Sequence, residues 1–262
     1  MISKVGILTS GGDAPGMNAA IRAVVRTCYH HKKFVSGISY GYQGMIDNEI
    51  KNLDVRSVNM ILGRGGTILK SARCKAFRTK TGRKKAYENL IANDIDALVV
   101  IGGNGTLTGA HILEQEYGIP VVGLPGTIDN DLNGTEYTIG FDSAVNTVID
   151  AVDKIRDTAF SHNRLFFVEV MGRDTGYIAL YAGLAAGAIE VMMPDPHIPL
   201  PELIKTIEKV RRAKKTSRVV IMAEGTENGG AAKIAEQVNK NYKEYDTRVT
   251  VLGHVQRVGK PM

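Results

Sequence analysis

Three short apolar runs in this chain each end in a loop of glycine or acid, a pattern that points to an open parallel sheet. The junctions are Leu8-Thr9-Ser10-Gly11-Gly12-Asp13, Ile101-Gly102-Gly103-Asn104-Gly105-Thr106 and Pro125-Gly126-Thr127-Ile128-Asp129-Asn130-Asp131. Each run has the length and composition of a buried strand, so each loop falls at a strand's carboxyl end. In such a sheet those ends converge on one crevice, where ligands bind. Glycine lets backbone N–H groups approach phosphate oxygens, and closely spaced carboxylates offer a base and metal ligands. The pattern predicts a protein that handles phosphates.

Strand and helix patterns alternate along the chain, as in parallel sheets covered by helices on both faces. Residues 5–8, 34–40, 97–101 and 120–124 read as strands, and 17–30 and 108–117 as helices. The runs at 97–101 and 120–124 carry no charge, as expected for strands buried on both faces. After Asp131 the alternation restarts. Helices are expected at 143–158, 176–187, 202–214 and 228–243, and strands at 164–170, 190–193, 218–223 and 247–252. The expected fold class is α/β, two Rossmann-like three-layer lobes with mainly parallel sheets. Residues 1–140 with 253–262 would form one lobe and 141–252 the other, the active site lying in the cleft between them.

A chain of 262 residues with 44% apolar content is long enough to bury a sizeable core. Its net charge of +6 suits anionic ligands. Nucleic acid is not expected as a partner, because tryptophan is absent, aromatics are few and no binding motif accompanies the basic residues. Nor is a membrane. The longest uncharged apolar stretch, 177–189, is too short to span a bilayer and reads as a buried helix. Cys28 and Cys74 form no CxxC pair, and the first residues enter a strand without a signal-peptide core, so a cytoplasmic setting is expected. His30, His31, His111 and His197 lack metal-ligand spacing, which argues against zinc.

Taken alone, Gly11-Gly12 is either a phosphate-facing helix entry or an ordinary turn, and no Gly-Lys-Ser/Thr follows to make it a Walker loop. The run from Gly102 to Thr106 is richer in glycine than a plain turn requires. In Thr127-Ile128-Asp129-Asn130-Asp131, two carboxylates two residues apart on an extended loop point the same way. One can take a proton from a hydroxyl while the other helps hold a divalent metal, although Asn and Asp also favour solvated turns.

Gly11-Gly12-Asp13-Ala14-Pro15-Gly16-Met17-Asn18, then the acidic loop, then Met171-Gly172-Arg173 and Leu252-Gly253-His254-Val255-Gln256-Arg257 follow one another as in the bacterial ATP-dependent 6-phosphofructokinases (the phosphofructokinase A family), which the chain resembles throughout. The resemblance implies transfer of the ATP γ-phosphoryl group to the 1-hydroxyl of fructose 6-phosphate, with Mg²⁺ as cofactor and a homotetramer as the working form. It makes Asp129 the base, with Thr127, the Gly12 amide, Arg73 and Arg173 around the transferring group. It assigns ATP to Gly12, Arg73, Cys74, Gly103, Asn104, Gly105 and Thr106. Fructose 6-phosphate falls to Thr127, Ile128, Asp129, Arg164, Met171, Gly172, Arg173, Glu224, Arg248, His254, Val255, Gln256 and Arg257, with Arg164 and Arg248 reaching in from a neighbouring subunit. Read alone, His254 is equally a hydrogen-bonded histidine at a strand end. Gly105 and Gly126 stand where pyrophosphate-dependent relatives carry an aspartate and a lysine, which favours ATP as donor.

The chain also departs from the family pattern. Asn104 stands where many members have a magnesium-binding aspartate, leaving Asp129 and Asp131 to supply charge to the metal. Val258 replaces a glycine and is expected to strain a turn, and members continue for several elements past position 262. Arg22, Arg26, Arg156 and Lys215 match a regulatory nucleotide site, but Val55 and Ile189 stand where an arginine and a glutamate are common. Arg22 and Arg26, one helical turn apart, are otherwise a solvent-facing stripe. The basic run Arg78, Lys80, Arg83, Lys84, Lys85 reads as a solvated face. The alternatives are a catalytically impaired nucleotide or sugar-phosphate binder, a pyrophosphate-dependent phosphofructokinase, or another small-molecule kinase with a GGxGT loop.

Overall fold

Ile7 and Leu8, which expose no surface, sit in a strand with neighbours on both sides. The computed structural model describes residues 2–162, 164–213, 218–227, 229–242 and 245–262. The chain divides into two units. The first takes residues up to Thr127 together with Leu132–Gly140 and Arg257–Met262, and the second takes Ile128–Asp131 and Phe141–Gln256. The acidic loop and residues 253–256 therefore group with the second unit, whereas the sequence reading gave them to the first.

The first unit contains β1 (Lys4–Ser10), α1 (Met17–His30), β2 (Phe34–Ile38), α2 (Gly41–Asp47), β3 (Ile50–Leu53), α3 (Lys80–Ala92), β4 (Ala97–Gly102), α4 (Asn104–Tyr117), β5 (Val121–Thr127) and β6 (Ile139–Gly140). Its sheet runs β3-β2-β1-β4-β5-β6, parallel except where β3 pairs antiparallel with β2. On α1, Met17, Ile21 and Val25 recur every fourth residue and are buried, which fixes the face the helix turns to the core. One core cluster joins Leu8, Ile38, Leu98 and Val100 of the sheet to Tyr42, Leu90 and Leu113 of α2, α3 and α4.

The second unit contains α5 (Phe141–His162), β7 (Leu165–Val170), α6 (Tyr177–Ala186), β8 (Glu190–Met192), α7 (Leu200–Arg212), β9 (Val219–Ala223), α8 (Gly230–Asn241) and β10 (Thr247–Val251). Its four strands are all parallel, in the order β10-β7-β9-β8. Phe167, Val220 and Met222 pack there against Leu203 and Ile207 of α7 and Ile234 and Val238 of α8.

Several expectations change. The glycine loop after β4 ends at Gly103, and Asn104 already opens α4. β5 runs on through Pro125, Gly126 and Thr127, and its Val122 is 59% exposed, so this strand is not buried on both faces. Residues 177–189 are not a wholly buried helix. α6 buries Ile178, Ala179 and Ala182 but exposes Tyr177, Tyr181 and Leu184. Val258 takes no positive φ, because the left-handed residue of that turn is Gly259, at φ 102°. The basic run is not wholly solvated either. Arg83 is buried in α3, and its Nε and Nη2 donate to the two Glu116 carboxylate oxygens at 2.6 and 2.7 Å. No helix among the described residues is long and apolar enough to cross a membrane.

Candidate active site

Strand register sets the glycine loops of the first unit. Ser10 lies opposite Gly102, and Gly102 opposite Pro125, so the carboxyl ends of β1, β4 and β5 stand side by side. The Thr106 hydroxyl donates to Ser10 O at 3.0 Å, and the Tyr42 hydroxyl donates to Thr106 O at 2.6 Å. Thr106 thus ties the start of α4 to the end of β1, leaving the exposed Asn104 and Gly105 at the helix's positive end. Burial of Tyr42 pushes its phenol well above the usual range, so it acts as a neutral donor. Gly11 holds a φ of 86°, and Ser71, which the sequence reading passed over, donates from its hydroxyl to Gly11 O at 2.6 Å.

A Cβ at Gly12 would lie 2.5 Å from Arg257 Nη1, the movable end of a long side chain, so the Arg257 guanidinium rests on the Gly11–Gly12 loop of the first unit. Arg73 is exposed, and Cys74 packs half-buried on the core cluster. Around Gly105 nothing lies within 4 Å of a would-be Cβ, whereas at Gly126 a Cβ would meet Ile101 Cγ2 at 2.8 Å.

The second unit holds the acid. Ile128 and Asp129 are each 2% exposed, and Asp131 is half-buried. Arg173 Nε lies 3.1 Å from Asp129 Oδ2. Thr175, another residue without a sequence signal, donates to Asp129 O at 3.3 Å and to Gly172 O at 3.1 Å. The Arg173 amide donates to Glu224 Oε1 at 3.1 Å, so Glu224, just past β9, fixes the turn that carries Arg173. Met171, Gly172, Arg173 and Glu224 follow the carboxyl ends of β7 and β9. Gln256 is wholly buried and spends its amide on the backbone, accepting from Met171 N at 3.2 Å and donating to Gly253 O at 3.0 Å. It positions Met171, and its side chain is not open to a sugar. His254 and Val255 are exposed.

Arg164 and Arg248 are not brought to this cluster. They lie at the opposite, amino-terminal edge of the same sheet, where Arg164 precedes β7 and Arg248 is the second residue of β10. The length of β7 separates them from Met171, roughly 20 Å. Both pair with Asp246, which the sequence reading missed. Of the effector candidates, Arg22 donates from Nη1 to Val58 O at 3.1 Å, Arg26 is exposed and Arg156 pairs with Asp153 at 3.4 Å. Lys215 lies outside the described residues.

A family model for phosphofructokinase matches residues 4–262. The chain belongs to the phosphofructokinase family. It is 55% identical over 260 residues to ATP-dependent 6-phosphofructokinase 2 of Bacteroides thetaiotaomicron, covering 99% of this chain and 80% of that protein. With ATP-dependent 6-phosphofructokinase 1 of Thermus thermophilus the identity is 53%, over the same shares of each chain. Among solved structures, phosphofructokinase from Saccharomyces cerevisiae superposes with a TM-score of 0.92 at 38% identity, covering 99% of this chain and 39% of that one. The Pichia pastoris phosphofructokinase in the T-state gives 0.91 at 40% identity, covering 100% and 30%. A pyrophosphate-dependent phosphofructokinase from Marinobacter aquaeolei, at 23% identity and a TM-score of 0.86, shares the fold.

Proposed function

We propose that this chain transfers the γ-phosphoryl group of ATP to the 1-hydroxyl of fructose 6-phosphate. The observation that carries the reading is the Asp129–Arg173 pair, a buried carboxylate oriented by a half-exposed guanidinium on loops that follow strand ends. Asp129 accepts the hydroxyl proton as the sugar oxygen forms its bond to the γ-phosphorus. The bond to the β–γ bridging oxygen breaks, and that oxygen leaves with ADP. The remaining N–H groups of Arg173 face the oxygens of the group in flight. The Gly12 amide, Arg73 and the amino end of α4 hold the nucleotide phosphates.

The open space at Gly105 leaves room for an α-phosphate, while the packed surroundings of Gly126 disfavour a lysine. Both support ATP over pyrophosphate. Magnesium suits an all-oxygen donor set, since it takes one or two protein oxygens beside phosphate oxygens and water. Asn104 and Asp131 are its proposed ligands, and the ion would offset phosphate charge.

A homo-oligomer belongs to the same reading, in line with the tetramer of the family pattern. One small sugar phosphate cannot touch both ends of β7, so Arg164 and Arg248 serve the site of a second copy. The exposed Tyr177, Tyr181 and Leu184 on α6 are consistent with a face that meets another chain.

A coupled assay for fructose 1,6-bisphosphate, run with ATP and pyrophosphate in parallel, tests the proposal. Product should depend on ATP, and Asp129→Asn should lower kcat by about 10²–10⁴-fold. Absence of product from the wild-type chain with either donor would sink it.

A further inference from the structure

Asp246 lies between the two arginines that stand apart from the rest of the site. Its backbone carbonyl accepts from Leu165 N at 3.0 Å, and the register pairs Thr247 with Leu165, so Asp246 sits opposite Arg164 at the mouth of the β7–β10 ladder. Its carboxylate then splits its two oxygens. Oδ2 takes Arg164 Nε at 2.7 Å, and Oδ1 takes Arg248 Nη1, which also donates to Thr247 O at 2.8 Å. The Arg164 backbone is held as well, its amide donating to Ala159 O at 3.1 Å at the end of α5. Only one nitrogen of each guanidinium is used in the ion pairs. Both η nitrogens of Arg164, and Nε and Nη2 of Arg248, make no hydrogen bond among the described residues.

We infer that Asp246 is a positioning residue, a carboxylate clamp that turns Arg164 and Arg248 into one preformed receptor for a single phosphate dianion. The inference rests on the proposed kinase reading, in which that dianion is the 6-phosphate of the sugar bound by a second copy. Two arginines side by side repel each other and otherwise sample many rotamers. One shared carboxylate cancels part of the repulsion and fixes both planes, with donor edges left over for the ligand. Guanidinium forks match phosphate oxygens two at a time, so a fixed orientation converts into affinity. The two guanidiniums, Arg164 foremost through its hydrogen bond, hold Asp246 below the usual carboxylate range, so the clamp is charged at any working pH.

Steady-state kinetics of the full chain test this with Asp246→Ala, Asp246→Asn and Asp246→Glu. The wild type is assayed first, because failure to phosphorylate fructose 6-phosphate would defeat the kinase reading rather than the clamp. Given wild-type turnover, Asp246→Ala and Asp246→Asn should raise KM for fructose 6-phosphate about tenfold. The kcat should stay within threefold, and KM for ATP and the melting temperature should hardly move. Asp246→Glu should recover part of the loss. Arg164→Ala should cost less in the Asp246→Ala background than in the wild type, since an unclamped arginine has less to lose. A sugar-phosphate KM that is unchanged or falls in both Asp246→Ala and Asp246→Asn overturns the inference. So does a loss shared equally between both substrates and tracking a drop in melting temperature.

Discussion

Asn104 occupies the first position of α4, exposed at the helix's positive end. Under the proposed reading, an amide oxygen there would face Mg²⁺ or its water shell but bring no charge, leaving charge to Asp131 and the nucleotide's phosphates. Asn104→Asp should therefore lower the half-saturating Mg²⁺ concentration several-fold, in kinetic and calorimetric titrations alike. An unchanged Mg²⁺ requirement would mean that position 104 does not face the ion. At this scale the sequence singled out Asp129 and Gly12, which the fold places beside Arg173 and Arg257 respectively. It says less for residues whose type suits two jobs. Gln256 belongs to a substrate-like motif yet spends both ends of its amide on the backbone, and Thr106 in the glycine loop is a tie to Ser10. Only the fold can tell a ligand from a brace, because the partner atoms come from residues far along the chain.

Elements with strong periodicity were legible: α1 begins and ends where its buried Met17, Ile21 and Val25 imply, and β4 is one residue longer than read. α3 was not. Its basic first turns hide Arg83, whose partner Glu116 lies 33 residues away on α4, and no local pattern announces that pairing. α2 and β3 are short, and α2 carries two glycines, so neither gives a clear period. Asp96 shows how an element end is secured. The amides of Ser3 and Lys4 and the Ser3 hydroxyl all donate to its Oδ2 at 2.7–2.9 Å, joining the starts of β1 and β4. Those bonds, led by the Ser3 amide, lower the Asp96 carboxyl from 3.8 to about 2. A depressed folded-state value means the tie is complete above the unfolded value and is lost as pH falls from about 4 toward 2. Denaturant midpoints measured across that window should fall for the wild type and fall less steeply for Asp96→Asn, which starts lower. Parallel curves for the two proteins would show that the tie contributes nothing to acid stability.

At the scale of the molecule, the reading requires that one active site draw Asp129 and Arg164 from different chains. Asp129→Asn and Arg164→Ala should each be nearly inactive in the assay. Mixing the two after reversible dissociation should restore up to about a quarter of wild-type activity, because some mixed sites then receive both intact residues. No recovery in demonstrably mixed oligomers would place Arg164 outside the working site. The fold class was readable at this scale from alternation alone. The division into units was not, because the 128–131 loop and the 253–256 turn change allegiance within a few residues.

The first unit is stitched from three separate stretches, and the last of them, Arg257–Met262, brings Gly259 against Gly65 backbone to backbone and Arg257 against Gly12. On the ribosome, the sheet from β1 to β5 emerges long before that closing stretch. The Gly11–Gly12 loop is then without Arg257 while more than a hundred further residues are synthesised. Vectorial synthesis therefore separates the appearance of the first unit's strands from the arrival of Arg257 beside Gly12.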